Sequence, residues 1–245
     1  VQTQSFSDIE YIIIDGGSSD KTAEIARSFV KTVSVIISEP DNGIYEAINK
    51  GIRLATGDIV GILNSDDFFY NDRVLERVAR EFNDPTVDAV FGDAVFVKTE
   101  ELSKIVRYYS SKSFRPWMFR LGFMPAHTTF FCRKVLFERL GYYRTDYRIA
   151  ADFELLLRFI YLNKIKCKYI SEPLVIMRAG GISNKNYRSR FLLNREILRA
   201  CRTNGLITFL PLIYMKYFLK IFDYFPCRIA FRQSFSLPSF IGNAK

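Results

Sequence analysis

Two hydrophobic periods alternate through the first part of the chain. Residues 10–14 (EYIII) form a short β-branched run that ends at Asp15-Gly16-Gly17-Ser18-Ser19-Asp20, the pattern of a buried strand followed by a turn. Ala23, Ala26 and Val30, with Ile25 and Phe29 beside them, then fall at the three-to-four spacing of a helix that Ser19 or Asp20 can cap. The cycle repeats with a strand over 33–37, a turn at Pro40-Asp41-Asn42-Gly43 and a helix over 44–54. A third strand over 58–63 (DIVGIL) closes at Asn64-Ser65-Asp66-Asp67, and a helix over 73–82 and a strand over 89–91 extend the series. Strands that alternate with helices predict an α/β fold: a Rossmann-like, mostly parallel sheet with right-handed crossovers, flanked by helices.

Beyond Lys98 the alternation loosens into an aromatic-rich stretch (Tyr108, Tyr109, Phe114, Trp117, Phe119, Phe123), a strand-like 128–132 and a helix over 152–162. This half is expected to shape an acceptor pocket. The apolar segment 206–225 contains Pro211, Lys216, Lys220 and Asp223, too many interruptions for the run of about 20 apolar residues that a spanning helix needs. Lys216, Lys220 and Asp223 share one helical face, with Ile213, Tyr214, Tyr217, Phe218, Ile221, Phe222 and Phe225 around the rest. That pattern predicts an amphipathic helical extension in a membrane interface; the alternative is a helix packed on the body with its lysine stems along apolar surface.

Charge sharpens this division. Lys and Arg number 35 against 26 Asp and Glu, for a net charge of +9, and residues 161–245 hold fifteen of the bases but three of the acids. Arg195, Arg199, Arg202, Arg228 and Arg232 near the apolar segment are available to anionic headgroups. A membrane surface is therefore the expected partner, and nucleic acid is not, because no RNA- or DNA-binding module accompanies the bases. Cys132, Cys167, Cys201 and Cys227 are scattered with no C-x-x-C pair, which speaks against a zinc site and suits a cytoplasmic chain.

Candidate chemistry lies at the strand ends. In an open α/β sheet, ligands bind beyond the carboxyl ends of the strands, and Asp15, Asp41, Asp66 and Asp67 all occupy post-strand turns. For each taken alone, capping the next helix or shaping a turn is the plain alternative. The adjacent pair Asp66-Asp67 stands out because it follows an uninterrupted apolar strand. Its hard oxygen ligands suit Mg²⁺ or Mn²⁺, which can bridge a carboxylate and a diphosphate. Neighbouring residues at a strand end diverge, so one is expected on a ribose and the other on the metal.

The segments IIIDGGSSDKT (12–22), EPDNGIYEAINKGIRLATGDIVGILNSDD (39–67), PAHTTFFCRKVLF (125–137) and AADFELLLR (150–158), with the turn Gly180-Gly181-Ile182-Ser183, resemble in order and spacing the inverting family-two glycosyltransferases of the GT-A fold. The resemblance runs over about residues 6–185 and implies transfer of a sugar from a nucleotide-sugar donor, a UDP-sugar before others, to an acceptor hydroxyl. It implies that Asp15 meets the nucleotide base, that Asp41 and Gly43 lie in a second donor-side loop, that Asp66 holds the ribose and that Asp67 holds the metal. Asp152 falls where the family places its catalytic base, although Ala151 precedes it where Glu is frequent. His127, the sole histidine, and Trp117 are expected on the acceptor side; a hydrogen-bonded structural role is the alternative for His127.

These readings divide the chain into a catalytic domain over 1–185 and a basic, aromatic-rich helical tail over 186–245. They place the protein at the cytoplasmic face of the plasma membrane, in cell-surface polysaccharide or lipid-linked glycan synthesis. The chain begins at Val1 and lacks the strand and helix with which family members start, so the sequence as given is expected to be poorly stable or inactive alone. Rival readings are a sugar nucleotidyltransferase, which would normally carry a Gly-rich loop with Arg and Lys, and a non-catalytic membrane-surface binding protein of the same fold.

Overall fold

The computed structural model describes residues 1–29, 32–179 and 187–218. The turn at Gly180-Gly181-Ile182-Ser183 and the part of the apolar tail beyond Phe218 lie outside the described residues.

Strands β1 (Ile12–Asp15) and β2 (Val35–Ser38) pair in parallel, with Ile12 opposite Val35 and Asp15 opposite Ser38. The intervening helix α1 (Thr22–Ser28) begins where Asp20 accepts the Thr22 amide at 2.9 Å. Helix α2 (Ile44–Leu54) starts from Gly43, whose φ of 126° is open to glycine and strained for other residues.

The larger sheet holds β3 (Ile59–Gly61), β4 (Phe68–Phe69), β5 (Ala89–Val97), β6 (Ile105–Tyr109), β7 (Phe131–Arg133) and β8 (Cys167–Arg178), in the order β3-β7-β5-β8-β4 with β6 on β5. The α/β class expected from the sequence is present, but the pairings in this sheet are mixed. Only β5–β8 is parallel; β3–β7, β4–β8, β5–β6 and β5–β7 are antiparallel. Periodicity reports that a strand exists and which faces it buries, not which way its neighbour runs.

β5 runs on to Val97, past the strand expected over 89–91 and through Gly92-Asp93. In the fold these residues form a register shift against β8, where a side chain at residue 92 would fall 2.7 Å from Leu174 Cγ and 2.9 Å from the Glu172 carbonyl oxygen. Helices α3 (Val74–Glu81) and α4 (Val135–Leu140) pack on the sheet through Val74, Val78, Leu136 and Phe137. Between β6 and β7, two 3₁₀ turns cover Pro116–Leu121 and His127–Thr129. The second replaces the start of the strand expected over 128–132.

Helix α5 (Ala151–Leu156) continues as a π-helical stretch over Leu157–Leu162 and is almost wholly interior, with Phe153, Leu155, Leu156, Leu157 and Phe159 all buried. Arg158 anchors it, donating to both Glu154 oxygens at 3.0 and 2.9 Å and to the carbonyls of Leu140, Gly141 and Tyr142. Helix α6 (Tyr187–Thr203), assigned to the tail on sequence, brings Ile197, Ala200 and Cys201 into this same core, and Leu206 and Ile213 join them.

In the helical backbone over 210–218, Lys216 does not face outward as the interfacial pattern requires. It is buried, with its ammonium 5.3 Å from the centre of the Tyr217 ring, while Phe209, Tyr214, Met215 and Phe218 are exposed. A lysine stem can lie along apolar surface, and here it does so against the body.

Candidate active site

The predicted site residues gather in two groups. In the first, Asp15 closes β1 and accepts hydrogen bonds from the Ser18 hydroxyl at 2.5 Å, the Ser18 amide at 3.1 Å and the Ser38 hydroxyl at 2.6 Å. These donors hold its carboxyl below the usual range. Asp41 accepts the Gly43 amide at 2.9 Å, and its Oδ2 comes so near Gly16 that a Cβ there would lie 2.4 Å away. The Asp15-Gly16 turn and the Asp41-Gly43 loop thus meet at one edge.

The second group surrounds His127. Its Nδ1 lies 3.2 Å from Asp152 Oδ2, and it lies within electrostatic reach of Asp67 as well as of Asp152. Asp66 is exposed, whereas Asp67 turns inward, 8% exposed, with Oδ2 accepting from Asn64 Nδ2 at 2.9 Å. Burial pushes the Asp67 carboxyl up to about 6 and Asp66 adds to the rise, while Asn64, His127 and the Arg178 amide oppose it. Asp152, its side chain 12% exposed at the first turn of α5, is likewise raised by burial; His127 and the Phe153 amide, which donates to Oδ1 at 2.7 Å, pull the other way.

Helix α2 links the two groups. Its N-terminus follows the Asp41 loop, Gly51 packs on Ile14 of β1, and Tyr45 donates its hydroxyl to the Ile149 carbonyl at 2.6 Å. Asn49 exchanges two hydrogen bonds with the Tyr143 backbone, at 2.7 and 2.9 Å. Trp117 is not in either hydrogen-bonded group; it stands 56% exposed on the 3₁₀ turn over Pro116–Leu121.

Sequence reasoning missed three contributors. Asn64 and Tyr45 carry no pattern of their own. Glu196 does leave a signal, as the sole carboxylate between Glu172 and Asp223 in a strongly basic stretch. From α6 it reaches the segment before α5 and accepts the amides of Arg148, Ile149 and Ala150, each at 2.9 Å.

Asp15 at the end of β1, Asp67 turned inward after β3 and the largely buried Asp152 in the first turn of α5 are thus set on an α/β framework with a mixed sheet. Solved structures share the GT-A fold. They include TarS of S. aureus (TM-score 0.60, 18% identity, 80% of this chain and 36% of that one) and its 1–349 form in complex with UDP-GlcNAc (TM-score 0.59, 17% identity, 81% and 59%). The mannosyltransferase PcManGT of Pyrobaculum calidifontis, in complex with GDP-Man and Mn²⁺, matches with a TM-score of 0.55 and 21% identity over 89% of this chain and 63% of that one. The chain thus spans less than two thirds of each of these solved chains.

Residues 1–141 match the glycosyl transferase family 2 description, and the chain belongs to that family. Among curated relatives, a PGL/p-HBAD biosynthesis glycosyltransferase of Mycobacterium bovis is 29% identical over 198 residues, 78% of this chain and 74% of that protein. A glycosyltransferase of Mycobacterium tuberculosis is 33% identical over 153 residues, 61% and 56%. The chain is therefore a glycosyltransferase by family, not a nucleotidyltransferase.

Proposed function

We propose that this glycosyltransferase moves a sugar from a nucleoside-diphosphate donor to an acceptor hydroxyl with inversion, using Asp152 as general base. The observation that carries the reading is the 3.2 Å approach of His127 Nδ1 to the largely buried Asp152 carboxylate, with the inward-turned Asp67 within electrostatic reach of the same imidazole. A carboxyl raised by burial is a stronger proton acceptor once ionised than an exposed one. Asp152 takes the acceptor proton as its oxygen attacks the anomeric carbon from the face opposite the departing diphosphate. One base suffices, because direct displacement forms no covalent sugar–enzyme intermediate.

The donor side follows the same logic. Asp15 and Asp41 border the base-binding edge with Gly43, and Asp66 takes the ribose. Among the described residues no cluster of three His, Cys, Asp or Glu side chains forms a protein-only metal cage. The donor set nevertheless fits Mg²⁺ or Mn²⁺, which take one or two carboxylates and complete their shell with phosphates and water. Asp67, buried after β3, would hold the ion, which would offset the charge gathering on the nucleoside diphosphate. The UDP-GlcNAc and Mn²⁺ carried by structural neighbours support a nucleotide-sugar donor and a divalent ion, with a UDP-sugar first.

On the acceptor side this reading takes a glycan or a lipid-linked glycan. Residues 1–185 carry the donor and base chemistry, with Trp117 and His127 toward the acceptor; α6 packs into the same core, and the exposed apolar side chains that follow it are the part of the tail that meets the membrane. No helix among the described residues is long and apolar enough to cross a membrane. Exposed Ile207, Phe209, Met215 and Phe218, with the arginines of α6, suit contact with an anionic lipid surface, the inner face of the plasma membrane in this reading.

Nucleotide release from UDP-GlcNAc and GDP-mannose with Mn²⁺ tests the reaction. Asp152→Asn is expected to keep donor affinity and lose on the order of a hundredfold or more in turnover; wild-type turnover would refute the base.

A further inference from the structure

Burying a carboxylate is costly unless hydrogen bonds compensate it. α6 does not need one to dock, because Ile197, Ala200 and Cys201 already seat it in the core. Yet Glu196, only 7% exposed, lies among them with three consecutive amides converging on its oxygens: Arg148 on Oε1, Ile149 and Ala150 on Oε2. The opposite edge of the same segment is held by Tyr45, whose hydroxyl donates to the Ile149 carbonyl at 2.6 Å. Arg199, one turn along α6, donates to the Asp146 carbonyl at 3.0 Å and pairs with its carboxylate. Ala150 is the residue from which α5 starts, and its own side chain cannot cap the helix.

From this arrangement we propose that Glu196 is a positioning residue for Asp152, fixing the backbone that enters α5 so that the base is aimed at the acceptor; the proposal rests on the reading of Asp152 as base. Three amides of one short segment cannot turn without leaving the carboxylate, so the direction of the Asp152 side chain two residues on is set by α6. A family motif read from 150–158 does not contain this contact, because its other half lies more than forty residues downstream.

Glu196 has a second effect that a neutral cap would lack. The ionisable groups acting on Asp152 are His127 from the 3₁₀ turn, Glu196 from α6, Tyr45 from α2 and Tyr143 from the loop before α5. Glu196 adds to the upward push that burial exerts on the Asp152 carboxyl, and His127 opposes it. Replacing Glu196 by a neutral side chain therefore moves the acid limb of activity to lower pH.

The test compares wild type, Glu196→Gln, Glu196→Asp and Asp152→Asn by nucleotide release from UDP-GlcNAc and GDP-mannose with Mn²⁺, by donor affinity and by amide exchange at 148–150. Glu196→Gln is expected to speed exchange of those amides and to lower kcat by about tenfold or more, the scale of a lost charge-assisted hydrogen bond. Donor affinity is expected to stay within about twofold, the acid limb to shift downward, and Glu196→Asp to recover part of both kcat and the limb. Faster exchange with unchanged kcat and an unmoved acid limb would reduce Glu196 to a structural strut and overturn the proposal. Donor affinity falling in step with kcat would overturn it too. If Asp152→Asn turned over at the wild-type rate, the base reading would fail first, a result independent of the Glu196 variants.

Discussion

His127 Nδ1 stands 3.2 Å from Asp152 Oδ2, joining the 3₁₀ turn that precedes β7 to the first turn of α5. The imidazole restrains the rise that burial imposes on the Asp152 carboxyl. It also lies within electrostatic reach of Asp67, so one side chain acts on both the proposed base and the proposed metal ligand.

Removing that restraint gives a pH prediction. Asp152 must be ionised to accept a proton, so activity falls as pH drops through its pKa. With His127→Gln the carboxyl loses a neighbour that favours its charged form and its pKa rises further, so the acid limb of kcat/KM moves to higher pH. A pH–rate series on wild type and variant checks the sign; a limb that stays in place or moves lower contradicts it.

Asn64 donates at 2.9 Å to Asp67 Oδ2, and its carbonyl accepts the Asp67 amide at 3.0 Å. Asn64→Ala leaves the backbone contact and the Arg178 amide but removes one of the two donors that hold the carboxylate. Activation by Mn²⁺ should then require about tenfold more ion, the scale of one hydrogen bond to a charged group. Asp67→Asn should cost on the order of a hundredfold in kcat/KM. Equal Mn²⁺ titrations for wild type and both variants would remove Asp67 from the donor site.

Gly16→Ala probes the donor edge without touching the base. A methyl there meets Asp41 Oδ2 at 2.4 Å, so the Asp41 side chain must swing off the Gly43 amide. Since what moves is the end of a side chain and not backbone, donor affinity should weaken by about tenfold while Tm changes little. Isothermal titration with UDP paired with thermal unfolding reads both quantities.

The anchor of α5 has a stability prediction. Glu154→Ala removes the partner of a guanidinium that is otherwise committed to the carbonyls of Leu140, Gly141 and Tyr142. An uncompensated buried charge costs about 3–5 kcal/mol, which for a chain of this size lowers Tm on the order of 10 °C. Differential scanning calorimetry would show it, and a shift within about 2 °C would mean that the pair is solvated in solution.

Local pattern was enough for several elements. The helix over 44–54 coincides with α2 because its apolar spacing is regular and Gly43 marks its start. β1, β2, α3 and the strand before Asp66-Asp67 were legible for the same reason, each within a few residues of its observed ends. The 167–178 strand was not read at all. Its Glu172-Pro173 pair reads as a breaker, and what makes it a strand is β5 lying parallel beside it across a register shift.

What the chain determines by itself is the inventory: an α/β alternation, carboxylates at strand ends, an aspartate opening an apolar helix and a basic tail. Those features follow from side-chain period and turn chemistry, which act over a few residues. The tertiary structure alone decided which carboxylate is buried, which way neighbouring strands run, that Lys216 faces the body, and that Glu196 holds the entry to α5. Each of those depends on groups far apart in sequence that meet only after the core has closed, and the free energy of such a meeting has no local signature to read.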